Sequence, residues 1–92
     1  MASSPIEAPL IRIIDNEVVD LNSLFEASDS RGISLIWYAN NSSYKPDSSG
    51  GMMLQYCWNK HTGMQLAFSG VGKLYIRWNL GAIGNWIQIQ YV

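Results

Sequence analysis

The chain has 92 residues, 48% of them apolar and only 14% charged, with a formal net charge of −1. That length makes one domain at most, the charged share is about half that of soluble domains, and Lys60, Lys73 and Arg77, the only cations after position 50, make too few phosphate contacts for nucleic-acid binding. A single cysteine, Cys57, excludes an internal disulfide and the stapled secreted class, and no apolar run approaches the ~18 residues of a membrane span.

Residues 1–9, Met-Ala-Ser-Ser-Pro-Ile-Glu-Ala-Pro, are small, polar and proline-containing. They read as a flexible arm or connector ahead of a β domain over 10–92. They lack a basic region followed by an apolar one, so any extracellular role is expected to follow release by lysis. Leu10–Ile14 and Val18–Val19 are β-rich and flank Asp15-Asn16-Glu17, the pattern of a short hairpin or ribbon. Leu21, Leu24 and Phe25 then fall at helical spacing behind Asp20 or Asn22 as N-cap, which predicts one short helix. Ala27–Gly32 has the composition of a turn.

After residue 32 the period is two. Ile33–Ala39 puts Ile33, Leu35 and Trp37 on one face, and the polar loop Asn40–Gly51 follows. Met52–Trp58 sets Met52, Leu54, Tyr56 and Trp58 against Met53, Gln55 and Cys57. Met64–Ser69 sets Met64, Leu66 and Phe68 against Gln65, Ala67 and Ser69. Gly70-Val71-Gly72 turns the chain into Lys73–Asn79, read as burying Leu74, Ile76 and Trp78 and showing Lys73, Tyr75 and Arg77. Leu80–Asn85 turns again into Trp86–Tyr91. Counting the N-terminal segments, the expectation is a mainly β fold: a small antiparallel sheet or sandwich of about five to seven strands with one short helix. Trp37, Trp58 and Trp78 are expected in its core.

Several marks in order give the chain a family likeness. They are Asp20-Leu21-Asn22, Gly32 before an apolar strand, Pro46 ahead of Gly50-Gly51, and Gln65 in a strand, followed by Tyr75-Ile76-Arg77 and the closing Trp86-Ile87-Gln88-Ile89. Over residues 20–89 this ordering resembles the knob domain of R-type pyocin and phage tail fibres. Two departures are Ile33-Ser34-Leu35 where tyrosine is common, and the lack of a second tryptophan in Leu80–Asn85. The resemblance implies a homotrimer joined to an upstream fibre or tail protein. It also implies a place in the virion tail or a phage-tail-like particle, and a role in assembly and attachment to a bacterial surface glycan.

The residues offer contact surfaces rather than chemistry. Tyr75 and Arg77 share a strand face and suit a sugar or trimer contact, although Arg77 equally suits pairing with an N-terminal Asp. Trp86 is either second-face core or a sugar-stacking platform. Gln65, Gln88 and Gln90 are candidate glycan hydrogen-bonders or simply polar strand positions. Cys57 and His61 have no third group to orient an imidazole, so no catalytic dyad is expected. A single histidine is a poor metal ligand, Gly70-Val71-Gly72-Lys73 lacks the phosphate-loop spacing and its helix, and the scattered acids suggest no glycosidase pair. No enzyme activity, cofactor or metal is expected. The alternative to a fibre module is an autonomous monomeric carbohydrate-binding module.

Overall fold

Period-two alternation after residue 32 becomes a single sheet in the computed structural model, which describes residues 10–26, 32–59 and 61–90. The arm read at 1–9 lies outside the described residues. The strands are β1 (Leu10–Glu17), β2 (Gly32–Tyr38), β3 (Gly51–Asn59), β4 (Thr62–Ser69), β5 (Leu74–Leu80) and β6 (Ile87–Ile89), with the helix α1 (Leu21–Glu26) between the first two. They form one six-stranded sheet whose spatial order is the chain order. β2 to β6 run antiparallel, as short turns allow. β1 is parallel to β2, so the sheet is mixed. The mainly β class with one short helix is as the sequence led us to expect.

The N-terminal hairpin is not formed. Leu10 to Glu17 is one continuous strand along β2, in which Asn16 is an extra residue between Asp15, opposite Trp37, and Glu17, opposite Tyr38. Asn16 takes a left-handed φ of 53°, a conformation an asparagine tolerates, and the polar triplet forms a bulge instead of a turn. The strand end is tied down from behind: Ala39 N–H donates to Glu17 O at 2.9 Å, and Val19 N–H to Ser42 Oγ at 3.0 Å. The closing strand is also shorter than its sequence pattern, with Trp86 just outside it.

α1 begins where its cap dictates. Asp20 Oδ1 accepts the N–H groups of Asn22 and Ser23 at 2.9 and 3.0 Å, which selects Asp20 over Asn22 as N-cap. Leu21 and Phe25 are fully buried and Leu24 packs against the same cluster, so the helical spacing marks the inward stripe correctly. The core joins Leu21 to Ile36, Tyr38, Met53 and Ala67, with Ile14, Val19 and Trp86 packed around it. Gly51 lets the layers close: a Cβ there would collide with the Phe68 carbonyl and touch the Tyr38 hydroxyl.

The helix covers the face opposite to the one alternation suggested. Ser34, Ile36, Met53, Gln55, Gln65, Ala67, Tyr75 and Arg77 are buried. Trp37, Trp58 and Trp78, expected in the core, are exposed instead. Of the strand face read as shown, only Lys73 is exposed, while Tyr75 and Arg77 are inside. The alternation defines both faces correctly, but the short helix sits on the one that mixes Ser34, Gln55, Gln65 and Arg77 with Ile36, Met53 and Ala67. Leu21→Ala is expected to cost about 2–5 kcal/mol, as for other fully buried leucines. Urea denaturation would test this; a loss below ~1 kcal/mol would contradict the helix–sheet contact.

Candidate functional site

Each face of the sheet carries its own cross-strand rows. On the covered face one row runs Arg12, Ser34, Gln55, Gln65 and Arg77 across β1 to β5. Side chains of the sheet reach up to carbonyls of the six-residue helix. Gln65 Nε2 donates to Leu21 O at 2.8 Å and to Gln55 Oε1 at 2.7 Å, and Gln55 Nε2 donates to Leu24 O at 3.1 Å. Gln65 Oε1 in turn accepts from Arg77 Nε at 2.7 Å. The glutamines thus fasten the helix to the sheet and the arginine to both.

Arg77 lies among aromatics. Its Cζ is 5.6 Å from the Phe25 ring centre and 4.4 Å from that of Trp86, close enough for cation–π attraction. Trp86 is held there by its indole N–H, which donates to Tyr44 O at 2.8 Å. Burial pulls the Arg77 guanidinium down to about 10, opposed by the field of Asp20, so it stays charged at neutral pH. Among the described residues, Gln65 and the two rings are its close partners.

Of the five residues singled out from sequence, Gln65, Tyr75, Arg77 and Trp86 belong to the covered side. Gln65 and Arg77 bond directly, Trp86 stacks on Arg77, and Tyr75 stands apart, its hydroxyl donating to Asp47 Oδ2 at 3.1 Å. Gln88 lies opposite Tyr75 in the register and is exposed. Burial raises the Asp47 carboxyl, but the Ser49 N–H, the Tyr75 hydroxyl and nearby Lys73 outweigh it, and its net pKa is lowered. Cys57 is buried while His61 is exposed.

The feature alternation left unrecognised is the open face. Its rows are Ile13, Leu35, Leu54, Leu66, Ile76 and Ile87, then Trp37, Met52, Phe68, Leu74 and Ile89, then Ile33, Tyr56, Met64 and Trp78. Ile13, Leu35, Trp37, Leu54, Phe68 and Trp78 keep between 41% and 74% of their surface in solvent. A shallow depression of about 440 Å³ crosses this face, with Asp15 at its rim as the sole charged lining residue among those described. Scattered exposed apolar residues are ordinary, but a contiguous face of this width on a monomer is not. The sequence signals were the shortage of charge and the nearly unbroken apolar membership of one parity.

Comparison with protein-family models, with curated proteins and with solved structures returned no match.

Gln65→Leu would strand Arg77 Nε and Gln55 Oε1 and remove the bond to Leu21 O, and should cost roughly 3–5 kcal/mol, the range for a buried charge that loses its partner. Urea denaturation measures it, and a near-neutral result would remove the glutamine from its central place. Tyr38 supplies a pH test. Desolvation, with Asp47 and Tyr75 nearby, raises its hydroxyl from 10.0 to about 12. The unfolded chain therefore releases this proton first, and stability present below pH 10 falls as the pH rises toward 12, by up to ~2 kcal/mol. Urea midpoints between pH 8 and 11.5 should fall less steeply in Tyr38→Phe than in the parent; parallel slopes would contradict the shift.

Proposed function

We propose that this chain is a non-enzymatic β module of a phage or phage-like tail fibre, which assembles as a homotrimer and serves attachment to a bacterial surface glycan. The observation that carries the reading is the open apolar face. Six strands about 4.8 Å apart, with about seven residues of ~3.3 Å rise, span roughly 500 Å² in projection. That is of the order of the ~800 Å² per partner of a stable interface once side-chain relief is added. Covering it would return roughly 12 kcal/mol per chain before the costs of association.

Three features favour copies of the same chain as the cover. The face has almost no charge with which to choose a foreign partner. Its depth is graded: the edges β1 and β6 carry Ile13, Ile87 and Ile89, while the central β3 and β4 carry Met52, Leu54, Leu66 and Phe68. Three such faces around an axis would stand about 7 Å from it at mid-sheet and converge at the edges, which suits long side chains in the middle and short ones outside. In that ring β1 of one copy adjoins β6 of the next, so Asp15 and Glu17 meet a half-chain, residues 51–92, that contains no acid.

A monomeric carbohydrate-binding module would use the same tryptophans as stacking platforms. Such platforms need hydrogen-bonding neighbours, and across most of this face, Trp78 included, the neighbours are leucine, isoleucine and methionine. Size-exclusion chromatography with light scattering should give three times the 10.3 kDa chain mass. Leu54→Arg, at a half-exposed central position, should leave the circular dichroism unchanged and reduce the mass to that of one chain. A parent chain that stays monomeric at ~1 mM would overturn the assembly reading and favour the monomeric module.

A further inference from the structure

Where the strands β2, β3 and β4 meet the loops at one end of the sheet, a second depression of about 850 Å³ opens beside the apolar face. That is within the range of small-ligand clefts. Its lining residues include Asn16, Asn40, Asn41 and Ser49, with Trp37 and Phe68 shared with the depression of the apolar face. No Asp, Glu, Lys, Arg or His lines it among the described residues.

The polar groups are set rather than loose. Gly50 N–H donates to Asn40 Oδ1 at 2.7 Å, which holds that amide by its oxygen and makes its NH₂ the donor end. Ser49 Oγ donates to Gly50 O at 2.9 Å, which leaves the hydroxyl oxygen as an acceptor. Asn16 stands at the bulge with φ 53°, a backbone state that asparagine adopts more readily than most residues, and it lines the cleft from there. Amide donors, a hydroxyl acceptor and a half-exposed indole, without any charge, are the groups that recognise a hydroxyl-rich neutral ring.

A peptide fits less well. Strand addition needs unused backbone donors, and those around the cleft are engaged: Ala39 to Glu17 O, Ser42 to Ala39 O, Ser49 to Asp47 Oδ1 and Gly70 to Gly50 O, all between 2.8 and 3.0 Å. What remains for a ligand is side-chain amides, a hydroxyl and aromatic surface.

We infer that this loop-end cleft is a binding site for uncharged carbohydrate, with Asn16, Asn40, Asn41 and Ser49 as its hydrogen-bonding groups and Trp37 as its apolar wall. It rests on the attachment half of the function proposed above and not on the assembly half. Because the cleft borders the apolar face, assembly around that face would set several copies side by side and turn weak single contacts into a firm hold.

The test is nuclear magnetic resonance of the ¹⁵N-labelled chain, following the asparagine side-chain amides during titration. The probes are maltotriose, mannotriose and triacetylchitotriose, each to ~10 mM, with sialyllactose and decaproline as charged and peptide comparators. At least one neutral trisaccharide should shift the Asn40 and Asn41 signals, and Asn41→Ala should weaken that binding about five- to tenfold. Asn16→Gly, which keeps the left-handed backbone, should weaken it as well. The proposal is overturned if no neutral sugar shifts these signals, if sialyllactose or decaproline binds more tightly than every neutral probe, or if both variants bind as the parent does. Light scattering on the same samples separates the two readings. Asn41→Ala should keep the parent's mass while losing sugar, and a dissociated Leu54→Arg chain that still binds sugar would support the cleft independently of assembly.

Discussion

The side-chain amide of Gln65 is the contact on which the remaining architecture depends. One buried group reaches the helix through Leu21 O, the neighbouring strand through Gln55, and the buried cation Arg77 through its Nε. A six-residue helix has too few internal bonds to hold itself, so it needs a floor that can accept its dipoles. An aliphatic floor would forfeit the bonds to Leu21 O and Leu24 O, at about 1 kcal/mol each. The glutamine row therefore draws the helix onto the polar parity of the sheet. Arg77 follows, with its Nε bonded to Gln65 and the rings of Phe25 and Trp86 beside it, while its buried Nη2 finds no hydrogen-bond partner among the described residues.

That choice determines what the opposite face becomes. With the polar and small residues consumed inside, the leucines, methionines, isoleucines and tryptophans of the other parity have nowhere to go but out. A two-layer unit that hides glutamine and shows tryptophan leaves one face of its sheet open, and the assembly proposed above starts from that open face. The low charge of the chain matches the near absence of charged residues from that face.

The division of labour across the molecule follows the same logic. The helix side holds the fold together, the flat apolar side offers area without direction, and the loop end gathers the uncharged polar groups. Directional hydrogen bonds need positions where side chains are not already committed to a core or a ladder, and strand ends and bulges provide them. Asn16 belongs there because of the bulge; a regular strand would have turned it onto one of the two faces.

Much was legible in the residues themselves. The period of two after residue 32, the turn at Gly70-Val71-Gly72 and the spacing of Leu21, Leu24 and Phe25 behind Asp20 determined a mainly β fold with one short helix. Gly72 with φ 84° fits that turn. These are local properties, set by how successive side chains point along strands and helices. What the sequence could not decide was which side of each strand would be inside. Alternation defines two faces, and hydrophobicity alone assigned Trp37, Trp58 and Trp78 to the core. The answer came from contacts between distant parts of the chain, such as Gln65 to Leu21 across 44 positions. The same holds for β1, whose polar triplet reads as a turn until β2 lies alongside it and makes it a bulge. Tertiary structure chose the covered face, because only there could the helix find both room and hydrogen-bond partners.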